Sequence, residues 1–591
     1  FNTLDSDGSN VHDLTVTGTI DVDGGNLDIN TSAVSCAKLI VESGDTITAA
    51  HSGNALTVTG AGIGNARSID FTGAISGTLD IITTHSGTRE DDLSASSGVI
   101  NHLTVNHASA VMRMNASATV GKLTITAGEF HASDAGGSGK NLTVNGDVSV
   151  TGTLDLDASS SDGNASFGSL TINSGGTVQA PSHGTITITS MTSTGSGDRS
   201  LHNKSGGTFT NNDGTVLFNG SSDQRMEMAG TGNVHNLTLN KSDNDFVTFG
   251  NLTVEGDLSI TLATVHTMRP NNASETLTVT GDVTIVEGKL GDVTNYTGAI
   301  SFGSLTIESG GTYIATSGTT TITSEAGSGY AIEVSGTYTA NAGTLKITTD
   351  ANSLVKILTS VNHLIIEPAT ATRVYEYVNN TTIQGNLTIN AGRFTHYSST
   401  YSLDVQGDCT INNTGILDGG SGSIEMNSLT IVTGGEYRAT TGTTTITGES
   451  GGGLAINNDG VFTHNKGTVK VDMDSTTSLD LTGTGSVNFY NLIVDSDATV
   501  SYGVAVIENN LTKKGAGRMR PDGDSGRNLE VKGTLLVEAG TFGRGPNDTH
   551  TNTFGNVVIT GGTIDLTGGG GSGKTIVKGS FRNVGGTVNS P

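Results

Sequence analysis

Tryptophan is absent, and cysteine and proline are scarce, with 2 and 6 occurrences in 591 residues. The two cysteines, Cys36 and Cys409, stand 373 positions apart. That spacing offers neither a disulfide framework nor a metal-ligand set, and they read as two unrelated buried thiols. Aromatic residues make up 4% of the chain, a poor platform for stacking sugar rings. A polysaccharide-processing enzyme would also need carboxylates converging across a groove, or a basic residue beside acidic metal ligands. The run REDD, Arg89 to Asp92, reads instead as a charged turn, and the 14 histidines are scattered. Nowhere do apolar residues run for the ~18 positions of a membrane helix, so no membrane insertion is expected. Positive charge is short as well: 29 Lys and Arg face 56 Asp and Glu, a net charge of −27. Such a balance repels polyphosphate and argues against a nucleic-acid partner. The chain opens on Phe1 without a basic-then-apolar leader, which reads as a processed product or an excised segment.

What is plentiful is glycine, 85 residues, and repetition. The strands DLTVTG, NLTVNG, TLTVTG, SLDVQG and NLEVKG carry Leu14, Leu142, Leu277, Leu403 and Leu529, separated by 128, 135, 126 and 126 residues. They divide the chain into units 14–141, 142–276, 277–402, 403–528 and a partial 529–591, with 1–13 as the end of a preceding repeat or an N-terminal segment. Within each unit, short alternating runs such as LTVTG, SLTINSGG and TITITS are rich in Val, Ile, Thr and Leu and bounded by Gly, Asn, Asp or Ser, the signature of strands between tight turns. Glycine and β-branched density leaves no normal helix candidate. The reading is all-β: a parallel β-solenoid of about 4.5 super-repeats of ~127 residues, with about six coils in each. Tandem β-sandwich domains are the alternative, but linkers, a core Trp and an immunoglobulin-type Cys pair are all missing.

Several motifs invite a chemical reading. GGGGSGKT, Gly568 to Thr575, satisfies a phosphate-loop pattern, which works only where a strand leads into the glycines and a helix starts behind them. The sister turns APSHGTITIT, ATSGTTTIT and ATTGTTTIT keep the glycine and replace the lysine, so a turn before a strand is expected here. Asp5, Asp7 and Asp13 in DSDGSNVHD place oxygen ligands around a glycine turn, a calcium candidate beside the plainer reading of a solvated turn. Calcium is thus the one cofactor the pattern offers. The one basic cluster is KKGAGRMRP, Lys513 to Pro521. Arg520 and its sister Arg269 could grip a carboxylate or sulfate on a glycan, while Met268 and Met519 are expected to face inward. Phe209, Tyr338, Phe462 and Phe581 recur once per unit and read as core plugs. Asn251, Asn386 and Asn510, each before the Leu of an NLT run, read as turn chemistry, although they form glycan-acceptor sequons.

Stretches such as Gly214 to Ser242, GTVLFNGSSDQRMEMAGTGNVHNLTLNKS, and FGSLTIESGGTYIATSGTTTITS, from Phe302, resemble the Gly/Thr/Asn-rich repeats of bacterial surface adhesins and of fibre-like structural proteins from marine bacteria and their phages. The resemblance implies an extended extracellular, cell-surface or virion element and carries no catalytic motif. The expected function is a non-catalytic structural or adhesive fibre. A phage tail fibre is the first alternative and a glycan-processing β-helix enzyme the second. Expected partners are surface glycans and copies of the chain itself. Neither end of the sequence reads as capped, which suits end-to-end copies or a longer fibre.

Overall fold

The computed structural model describes residues 1–3, 11–64, 66–92, 100–191, 198–242, 247–291, 296–480, 488–503, 505–521, 528–543, 550–567 and 573–590. These form 56 strands and no helix, and the pairings between those strands are parallel in both parts of the chain, as between Leu14–Val22 and Val34–Val41 and between Thr563–Asp565 and Thr587–Asn589. The fold is a β-solenoid, as the alternation anticipated, and not a row of sandwiches. The chain divides into two compact units, Phe1–Ala299 with Gly310–Thr312, and Ile300–Ser309 with Tyr313–Pro591.

Within the first unit one coil shows how the sequence makes the fold. Leu142–Val150 reads LTVNGDVSV: Leu142 and Val144 point inward, the chain bends at Asn145–Gly146, and Val148 and Val150 point inward again. Leu154 supplies a third face. Each inward pair is then repeated one coil on. Leu142 lies under Ala165, Ile186, Val216, Leu237, Leu258 and Val283 in turn. Val148 lies under Leu170, Leu201 and Met226, and Leu154 under Val178 and Phe209. Strands held at the ~4.8 Å rung spacing bring like side chains into direct contact, so Val, Ile and Leu fill a narrow core without tryptophan.

These columns correct the coil count. Six rungs above Leu142 stands Val283, not its repeat equivalent Leu277, which pairs with Leu252 on a neighbouring face. Likewise the column from Leu14 reaches Val148 rather than Leu142. In the second unit the column from Leu403 reaches Leu535 rather than Leu529. Each sequence unit is therefore one face short of six coils, about five and two-thirds. A motif that recurs once per unit moves round by one face at each recurrence and does not line a single stripe.

Asparagine holds the corners. Asn141 Oδ1 accepts from Asn164 N at 2.8 Å, and Asn164 Oδ1 from Thr185 N at 3.0 Å. Asn251, Asn386 and Asn510 do the same for Thr276 N, Asp408 N and Thr534 N at 2.9, 3.0 and 3.0 Å. The side-chain oxygen satisfies a corner N–H that the strand ladder cannot reach. This is the turn chemistry expected of the NLT runs.

Candidate functional site

A strand, not a helix, follows the phosphate-loop pattern. Residues 568–572 lie outside the described residues, but Lys574–Val577 is a strand whose Lys574 pairs with Thr551, so no helix N-terminus stands behind the glycines. Of the calcium candidates, Asp5 and Asp7 lie outside the described residues. Asp13 spends its Oδ1 on the backbone N–H of Ala33 at 2.9 Å. Among the described residues no group of three or more His, Cys, Asp or Glu side chains is placed to hold a metal ion. Cys36 and Cys409 are free and buried, and burial pushes both thiols up to about 12.

Met268 and Met519 are fully buried, and Met519 takes its place between Val500 and Phe542. In the same basic cluster Lys513 also points inward, between Val494 and Val537. Its ammonium is satisfied by backbone carbonyls, donating to Gly515 O at 2.9 Å, Ser496 O at 3.4 Å and Lys514 O. Burial lowers its pKa against the pull of Asp495 and Asp497. Phe209, Tyr338 and Phe462 are buried plugs. Phe581 departs from them at 48% exposed, because no described rung lies over it.

The REDD run corrects the charged-turn expectation. Gly87–Asp91 is a strand with Arg89 and Asp91 turned inward. Arg89 stands beneath Met112, Phe130 and Leu154 in a column that is otherwise apolar. Asp91 Oδ1 accepts from Ser68 N, Ser68 Oγ and Ile69 N at 2.6, 2.8 and 2.8 Å, while its Oδ2 and Arg89 Nε are buried without a hydrogen-bond partner among the described residues. Burial raises the Asp91 carboxyl, although those hydrogen bonds and Arg89 oppose it. Burial, then the Arg89 charge, lowers His85 to about 4. Four successive charges, Arg89 to Asp92, carry no period-two apolar signal, so nothing in the sequence signals that Arg89 and Asp91 turn inward.

On the outer surface the first unit forms a polar groove of about 200 Å³ from three successive coils. The lowest contributes Arg225, Glu227, Met228 and Ala229, the next Gly250 and Asn251, and the third Asn271, Asn272 and Glu275. Strand alternation turns Arg225 and Glu227 outward from Gln224–Met228 while Gln224 and Met226 are buried. Glu227 Oε2 accepts from Arg199 Nε at 2.5 Å and Arg225 Nη2 at 3.4 Å. Burial works to raise this carboxyl, but the Arg199 hydrogen bond and charge outweigh it and hold it below the usual carboxylate range. Arg225 Nε has no hydrogen-bond partner among the described residues. Asn251 Oδ1 is spent on Thr276 N and Oγ1 at 2.9 and 3.2 Å, which leaves its Nδ2 as a donor. Asn272 Nδ2 donates to Glu275 Oε1 at 2.9 Å. Arg269, singled out in the sequence, follows Arg225 and Thr248 in register on the same strand column. Arg225, Asn271 and Glu275 carried no signal of their own, since residues separated by up to 50 positions become neighbours only through coil stacking.

No protein-family model, curated protein or solved structure matches this chain.

Proposed function

We propose that the chain is a non-catalytic structural or adhesive element of an extracellular fibre, displayed on a microbial cell surface or on a virion. The observation that carries this reading is the outer face of the ladder. Between the inward pairs of one column the outward residues are Thr143, Ser166, Thr187, Leu217, Thr238, Ser259 and Thr284, a run of small, neutral and mostly hydroxylated side chains. Such a face adds length and hydration without chemistry, and its backbone groups are paired from coil to coil. Stacking is proposed to extend beyond the described rungs, either along a longer fibre or between copies. Phe581 and Val588 are 48 and 36% exposed, while Val557 and Ile564, one rung below them, are core, so a rung laid over Phe581 and Val588 would bury them in the same way.

Immunogold labelling of intact producing cells and of any particles they release tests the reading. Label on fibres at the cell surface or on virion appendages is expected, and the two locations separate the cellular from the phage version. Label confined to the cell interior would overturn it.

A further inference from the structure

Glycine at position 250 is not required by the backbone. Its φ lies outside the left-handed region, and a Cβ there would meet only Glu227 Cγ, at 3.9 Å, an ordinary van der Waals distance. Gly18, Gly25, Gly327 and Gly451 are as open, whereas a Cβ at Gly232 would stand 1.7 Å from Phe209 O and one at Gly298 1.8 Å from Glu275 O. What a side chain at 250 would fill is the floor of the groove between Arg225, Glu227, Asn251 and Glu275. The absence of a side chain keeps that groove open.

The functional groups around it are mixed in a particular way. Arg225 and the Asn251 amide present donors, Glu275 presents a carboxylate oriented by Asn272, and the Glu227 charge is already met by two arginines. A phosphate or a polyanion would face two carboxylates, and an apolar ligand would strand the polar atoms. Paired donors and acceptors without a large net charge suit adjacent hydroxyl groups, each of which donates and accepts at once.

We propose that the groove centred on Gly250 binds a neutral saccharide through vicinal hydroxyls, with Glu275 accepting from them and Arg225 and Asn251 donating to them. With no aromatic side chain among the described residues that line the groove, recognition rests on hydrogen bonds, and single-site binding is weak. The assignment rests on the adhesive part of the reading above and gives it a location.

Affinity electrophoresis of the full chain through gels containing dextran, laminarin, β-1,4-mannan or polygalacturonate is the test. Retardation by at least one neutral polysaccharide is expected, reduced at least tenfold in affinity by Gly250→Leu and by Glu275→Gln. Both variants should keep the native strand circular dichroism and melting temperature. No retardation by any neutral polysaccharide overturns the proposal, and so does retardation by polygalacturonate alone. Equal retardation of the native chain and a folded Gly250→Leu variant overturns the groove assignment while leaving adhesion to be carried elsewhere. Interior localisation by immunogold would instead remove the fibre reading and leave the binding result intact.

Discussion

Two regions place polar side chains in the same kind of narrow core and treat them oppositely. In the second unit Tyr437 and Thr444 are both turned inward and buried, and Tyr437 Oη lies 2.7 Å from Thr444 Oγ1. One repeat earlier Tyr313 Oη and Thr320 Oγ1 stand at the same 2.7 Å. In the first unit, beside His85, the buried Arg89 Nε and Asp91 Oδ2 have no such partner among the described residues. The matching repeat positions of the first unit, Val178 and Ile186, avoid the problem by being apolar. A tyrosine can replace valine at this site when the residue seven or eight positions on changes from isoleucine to threonine, because the added hydroxyl then finds a partner in the same step. Where no such pairing exists, burial falls on titratable groups and moves their proton equilibria.

The largest expected effect concerns the glycines that pack, one coil on, against the sister turns at Pro181 and Thr440. A Cβ at Gly214 would lie 2.0 Å from Pro181 O, and one at Gly467 1.8 Å from Thr440 O. Gly467→Ala and Gly214→Ala should each cost about 3 kcal/mol or more, since the obstacle is backbone that cannot rotate away. Urea unfolding of each variant measures it. A cost below about 1 kcal/mol at either position would show that the turn relaxes and is not common to the two regions.

A smaller effect separates paired from unpaired polar groups. Thr444→Val strands the Tyr437 hydroxyl and should cost about 1–3 kcal/mol, and Tyr437→Phe should cost a similar amount by stranding Thr444. The double variant restores an apolar pair, so it should be more stable than the sum of the two single losses predicts, with a coupling of about 1 kcal/mol. Additive losses in the cycle would mean that the 2.7 Å contact contributes nothing.

The smallest concerns pH. His85 is neutral in the folded chain down to about 4, whereas an unfolded histidine takes a proton near 6.5. Between those values the unfolded state binds more protons, so the stability owed to neutral His85 is lost as pH falls from about 6.5 towards 4. Asp91, raised by burial, acts in the opposite sense, as does any carboxyl that is easier to protonate when folded. The clean measure is therefore a difference: His85→Leu should flatten the fall in stability across that window by on the order of 1–2 kcal/mol after allowance for partial solvent screening. Identical pH profiles for the two proteins would show that His85 protonates without cost.

The sequence by itself settled which residues make strands. Period-two alternation in runs such as LTVNGDVSV, closed by Gly, Asn and Asp, specifies local conformation, and its recurrence implies that each run rests on another like it. The inward methionines and the capping asparagines follow from the same local pattern. Tertiary structure alone decided which residues meet. Coil stacking turned the repeat by a third of a turn relative to the rungs, carried Arg89 and Asp91 into the core, and gathered Arg225, Gly250 and Glu275 into one groove. Those outcomes depend on the number of residues spent at each corner, which sets the vertical register over many coils, and a small difference in loop length moves a side chain to another face without altering the alternation that reveals the strands.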